Sequence, residues 1–177
     1  CASGGRRIDF EMMKRSITLT RTDYLWDPVG QQSMTYGLSQ WVPITGIGSD
    51  GVDTYKCRSG FGSTFDLPLD WPNCPPASFA LAVQNAGYAA SIKDLFRGDF
   101  YPLTTYSTAS NVWIAWQVYR PDLGEGLLQA FRRHDSTQGS MTLILKGLDP
   151  DAVYRLTSPD SEGWYSDVTG TQLMTMG

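Results

Sequence analysis

The sequence predicts an α/β region followed by an all-β region, and three observations carry that prediction. Up to about residue 103, short apolar or β-branched runs alternate with loops and helix-like stretches, the strand–loop–helix repetition of a parallel sheet. From about Asn111 the hydrophobic period becomes two and turn signals recur at short intervals, as in an antiparallel sandwich. Charged residues make up only 18% of the 177, while six Trp, nine Tyr and seven Phe supply more apolar surface than a solvated coil carries.

A short helix is expected over about Ile8 to Ser16, with Ile8, Met12 and Met13 toward a core. Residues 17–22 alternate Ile-Thr-Leu-Thr-Arg-Thr and read as a strand ending at Asp23. Asp27-Pro28-Val29-Gly30 reads as a break, with a helix from about Gln32 to Trp41 after it. Gly46 to Gly51 has loop composition, and Tyr55 to Gly62 alternates as a short strand. Pro75-Pro76 opens a helix, because proline is tolerated in a first turn, and Ser78 to Phe96 continues it despite Asn85 and Gly87.

In the second region Val112, Ile114, Trp116 and Val118 share one strand face, with Trp113 and Tyr119 making the other face partly apolar. A turn at Pro121–Gly124 leads to a strand over Gly126–Arg132. Met141, Leu143 and Leu145 alternate as a further strand before the turn Leu148–Asp151, and Val153–Thr157 follows. Val168–Thr171 reads as a turn with a strand just beginning.

Composition excludes several functions. Net charge is −4 and the isoelectric point is about 4.8, which opposes phosphate-backbone binding, so no nucleic-acid partner is expected. No apolar run approaches the roughly 18 residues that span a bilayer, and no membrane partner is expected. Cys1, Cys57 and Cys74 show no CxxC spacing, and His134 is the one histidine, so neither a metal site nor a cofactor is expected. Arg132-Arg133-His134-Asp135 follows an apolar segment and reads as a polar strand end rather than the buried, oriented imidazole of a hydrolase triad. Three cysteines leave the compartment open, with a lean to the cytoplasm. Charge is uneven: Arg6, Arg7, Lys14, Arg15 and Arg21 against Asp9 and Glu11 give residues 1–22 a local +3.

Cys1-Ala2-Ser3-Gly4-Gly5-Arg6-Arg7-Ile8-Asp9 resembles the cysteine-glycine motif of glycoside hydrolase family 36, matching at Cys1, Gly4, Arg7 and Asp9, with Arg6 where the family usually has glycine. Arg21-Thr22-Asp23-Tyr24 resembles the family's acid/base segment, 22 residues after Cys1. The family's second Asp falls one position late, at Asp27, and Gln31 or Gln32 stands in the region of its Arg. Tyr36–Pro43, Gly98–Thr104 and Gly147–Arg155 resemble further family stretches.

The resemblance implies a (β/α)8 barrel followed by a C-terminal β-sandwich. A barrel needs about 250 residues, so residues 1–103 would supply only its later part, about strands 5–8, and residues 104–177 a truncated sandwich. The implied activity is that of a retaining α-galactosidase acting on α-galactoside oligosaccharides by two carboxyl groups about 5–5.5 Å apart. Asp23 takes the acid/base role, and Cys1 and Gly4 approach the sugar hydroxyls. The nucleophile, an Asp in a Lys-Trp-Asp motif, belongs upstream and has no counterpart in these 177 residues, so the chain reads as a fragment, inactive by itself, of a parent that could oligomerise. Arg7 and Asp9 are expected to pair with each other or cap the following helix rather than contact the sugar; Trp26 and Trp41 could offer aromatic faces to a sugar ring, although such residues are more often core, and Asp27 is a weaker acid/base candidate. The other class of reading is a non-catalytic carbohydrate-binding or structural β-domain of a larger enzyme, suggested by the aromatic-rich residues 111–175.

Overall fold

The computed structural model describes residues 10–15, 19–20, 27–42, 44–67 and 70–176. In chain order it runs α1 (Phe10–Arg15), β1 (Leu19–Thr20), α2 (Pro28–Leu38), β2 (Thr45–Gly48), α3 (Thr54–Gly60), β3 (Phe65–Asp66) and α4 (Pro76–Ile92). A 3-10 turn over Lys93–Arg97 then leads to β4 (Asp99–Pro102), β5 (Trp113–Arg120), β6 (Glu125–Arg132), β7 (Val153–Thr157), β8 (Tyr165–Thr169) and α5 (Gly170–Thr175). The helix and strand expected near residues 8–22 correspond to α1 and β1, while Ile8 and the side chains of Met12 and Met13 lie outside the description.

β2 pairs in parallel with β1 on one side (Leu19 with Thr45) and with β3 on the other (Gly48 with Asp66). Helices α2 and α3 connect these strands, as parallel neighbours require a crossover. The glycine-rich run expected to be a loop is therefore partly the middle strand. Its glycines are needed for close approach: a Cβ on Gly46 would fall 2.3 Å from the Thr64 carbonyl oxygen, and one on Gly48 2.1 Å from that of Asp66.

The expected strand over Tyr55–Gly62 is instead helix α3. The Asp53 carboxylate accepts from Lys56 N–H at 3.0 Å, and this cap outweighs the apolar alternation. Asp27-Pro28 is likewise the start of a helix and not a break: Asp27 accepts from Gly30 N–H at 2.9 Å, and Pro28 occupies the first turn. In α4, Ala82, Asn85, Ala89 and Ile92 form one buried stripe, and Asn85 is accommodated because its amide donates to the Val52 carbonyl at 3.0 Å.

β5 is the middle of an antiparallel sheet, β4-β5-β6, with Val118 opposite Phe100 and Leu127. Both its faces are covered. Ile114, Trp116 and Val118 meet Tyr36 of α2, Cys57 and Phe61 at α3, and Ala89 and Ile92 of α4. On the opposite face Tyr119 joins Leu148, Leu173 and the hairpin residues Tyr154, Leu156 and Val168. Burial of side chains this large contributes roughly 1.5–3 kcal/mol each, so β5 anchors the helices and the second antiparallel pair, β7-β8, at once.

Two expectations in this region are corrected. Met141, Leu143 and Leu145 alternate in burial as a strand would, but residues 137–146 form no ladder; Leu145 N–H goes to the Leu173 carbonyl and Lys146 N–H to the Gln117 side chain. Val168–Thr171 is the end of β8 and the start of α5, fixed by a capping box in which Thr169 and Gln172 exchange hydrogen bonds. Gly147 turns the chain at φ +68°, where a Cβ would lie 2.2 Å from the Tyr101 hydroxyl.

Candidate functional site

In a parallel sheet the working residues follow the C-terminal ends of the strands. The described segment in that position after β2 is Ser49–Asp53. Ser49 is fully buried; its hydroxyl donates to the Gly51 carbonyl and accepts from Gly51 N–H at 3.1 Å, which closes a tight turn. Cys57 lies beneath, with its thiol 3.4 Å from the Gly51 carbonyl oxygen, and burial pushes its pKa up. At the rim, Lys56 Nζ reaches Asp50 at 3.4 Å and Asp53 at 3.9 Å.

Among the described residues the most heavily engaged ionic group is Arg133, just after β6 and fully buried. Its guanidinium donates to Gln32 Oε1 (3.0 Å), Ser33 Oγ (2.9 Å) and the carbonyls of Ser107 (2.9 Å) and Ala109 (2.6 Å). Gln32 passes the network on, its amide donating to Ser59 Oγ at 2.9 Å and the Tyr55 hydroxyl at 3.0 Å. Desolvation lowers the pKa of Arg133, and the ring of neutral acceptors offsets the cost of burying its charge. Sequence reasoning placed Arg133 at a polar strand end. The missed signal is the pairing of a strand-terminal Arg with Gln31-Gln32-Ser33 inside a helix.

A groove of about 680 Å³ runs between α3, α4, β6 and the β7–β8 turn, with Arg58, Tyr88, Gln129, Asp160 and Trp164 in its wall. A second, of about 620 Å³, lies between the sheets beside Tyr119, Leu148 and Tyr154.

Residues 113–177 match the glycosyl hydrolase family 36 C-terminal domain. The fold agrees across a longer stretch. The α-galactosidase AgaB from Geobacillus stearothermophilus, a family 36 enzyme, superposes with a TM-score of 0.67 over 86% of this chain at 24% identity. The α-galactosidase from Lactobacillus brevis gives 0.68 over 89% at 18% identity, and the galactosidase domain of the α-galactosidase-sucrose kinase AgaSK gives 0.66 over 88% at 19%. At these identities the likeness is one of fold. This chain spans 22% of the length of each of the three. No curated protein matches it. The resemblance to family 36 carried by the motifs is thus met independently, by the family model and by the fold.

Of the positions that the family motifs single out, Cys1, Gly4 and Asp23 lie outside the described residues, as do Arg6, Arg7, Asp9 and Trp26. Asp27 is occupied as the cap of α2. Trp41 follows α2 and is 81% exposed, so it is not a core residue. His134 is exposed in a turn, 3.2 Å from Asp135, in keeping with a polar strand end. Among the described residues no group of three His, Cys, Asp or Glu could hold a metal ion.

Proposed function

We propose that this chain is part of a retaining family 36 glycoside hydrolase that removes terminal α-galactosyl residues from oligosaccharides. The observation that carries the reading is the continuity of fold with three α-galactosidases through 86–89% of the chain, across both the parallel and the antiparallel sheets. In this reading β1–β3, with α2–α4, are the later part of a (β/α)8 barrel within residues 1–103, and residues 104–177 are part of a C-terminal sandwich, with β4 pairing across the junction.

In sequence Asp23 comes three residues after Thr20, the last residue of β1, and barrel enzymes keep their chemistry after strand ends. Its carboxyl protonates the departing glycosidic oxygen while an upstream Asp attacks the anomeric carbon. Asp23 then takes a proton from the water that releases galactose. Cys1 and Gly4 meet the sugar hydroxyls, the glycine allowing its backbone amides to come close.

The test uses the longer protein containing this sequence. Asp23→Ala lowers turnover of a substrate with a poor leaving group by about 10²–10⁴-fold, the range of general acid–base catalysis. An aryl α-galactoside with added azide regains turnover and yields a galactosyl azide of retained configuration. Unchanged turnover in Asp23→Ala removes the assignment. A second reading, in which residues 104–177 serve as a structural brace, is favoured by Arg133, which joins β6 to α2 and to the 107–109 segment.

A further inference from the structure

We propose that the groove between α3, α4, β6 and the β7–β8 turn binds an uncharged oligosaccharide. Its volume, about 680 Å³, falls within the roughly 300–1,000 Å³ of small-molecule sites.

The chemistry of the wall selects against ions. Both arginines in it are already neutralised: Arg58 Nη1 is 2.6 Å from Asp160 Oδ2, and Arg155 holds Asp167 by two hydrogen bonds of 2.8 and 2.9 Å. Among the described lining residues no uncompensated charge is left to draw a phosphate or an acidic peptide. The paired groups still present planar donors and acceptors at the groove edge, since Asp160 is two-thirds exposed.

Aromatic surface lies beside them. Trp164, whose backbone N–H donates to the Ser161 carbonyl, is 49% exposed on the β7–β8 turn. On the opposite wall the Arg58 guanidinium stacks 5.6 Å from the centroid of Tyr88. A sugar ring has a face of C–H groups and an equatorial rim of hydroxyls. An aromatic face next to a charge-cancelled Arg–Asp pair satisfies both. Arg58 Nε is buried without an acceptor among the described residues, so a small shift of the guanidinium toward an incoming hydroxyl gains a hydrogen bond. That the sugar is an α-galactoside rests on the function proposed above. That it is an uncharged carbohydrate rests on the groove.

The probe is soluble galactomannan, used with the longer protein containing this sequence. In an Asp23→Ala background, which prevents cleavage of the probe, affinity electrophoresis retards the protein, and Trp164→Ala and Asp160→Asn each abolish the retardation. In the active enzyme, Trp164→Ala raises KM for galactomannan about tenfold, the effect of truncating an aromatic anchor, and leaves kcat/KM for an aryl α-galactoside within about twofold. Retardation that persists in both variants overturns the proposal, and so does its absence in the parent. An equal loss on polymer and aryl substrates also overturns it, because the groove would then be part of the catalytic pocket. A parent that fails to hydrolyse any α-galactoside refutes the enzymatic reading alone, since retardation reads the groove without turnover.

Discussion

Arg133 Nε donates to Gln32 Oε1 at 3.0 Å, with both side chains fully buried and the partners of the arginine among the described residues all neutral. A buried cation held this way gains from each acceptor it satisfies, and the acceptors depend equally on it. Arg133→Met therefore strands the Gln32 side-chain oxygen and the carbonyls of Ser107 and Ala109. The expected cost is about 3 kcal/mol or more, read as a lowered denaturant midpoint. Arg133→Lys does not restore it, because an ammonium cannot span acceptors arranged for a planar fork. A Met variant as stable as the parent would refute this account of the cluster.

Tyr119 and Tyr154 share a hydrogen bond of 2.8 Å between their hydroxyls, and Tyr154 also accepts from Asp149 N–H. The bond to Tyr154, then burial, pushes the Tyr119 pKa up to about 12. The fold thus favours the neutral phenol. The associated stability is complete below the ordinary tyrosine value of about 10 and is lost as pH rises from there through about 12. Tyr154→Phe should bring the Tyr119 transition back toward about 10 in an ultraviolet difference titration. A titration curve that does not move would break the link between the two hydroxyls.

Gly46 and Gly48 face neighbouring backbone at distances no Cβ tolerates. Gly48→Ala has to push β3 away from β2 or distort the ladder, and we expect a loss of about 2–3 kcal/mol or failure to fold. Gly87→Ala is the control, since nothing lies within 4 Å of the added atom and the helix propensity of α4 improves. Thermal melting should move in opposite directions for the two substitutions.

Cys57 is buried with a raised pKa, and Cys74 is partly exposed; both are free thiols. Alkylation of the native protein followed by peptide mass spectrometry should modify Cys74 and spare Cys57 until denaturant is added. Rapid native labelling of Cys57 would mean that the turn over Ser49–Gly51 opens readily.

The elements that the sequence announced are those with long, regular burial. The alternation of Ile114, Trp116 and Val118 marks β5, and the proline-started run ending near Phe96 marks α4 with its 3-10 extension. The misread elements are short and are decided by single contacts. α3 has seven residues, and its alternating Tyr55 and Cys57 mimic a strand until the cap at Asp53 is considered. β2 owes its strand to neighbours on both sides, which composition does not reveal when two of its four residues are glycine. Arg133 escapes notice because its side-chain partners, Gln32 and Ser33, are about 100 residues away, in a helix whose start reads as a break. For the site, motif spacing was the whole signal. Cys1, Gly4 and Asp23 stand out through family resemblance, and none of the three lies among the described residues.

Between the last helical turn and β4 there is one residue, Gly98, and it is itself wedged: a Cβ there would lie 2.2 Å from the Tyr119 carbonyl oxygen. Arg120 clasps the same corner by donating to the Asp94 carbonyl at 3.0 Å. A tether between moving bodies needs slack, and this junction has none. Force applied to α4 passes directly into the antiparallel sheet. A hinge at this corner would have to tear β4 from β5 before it could swing.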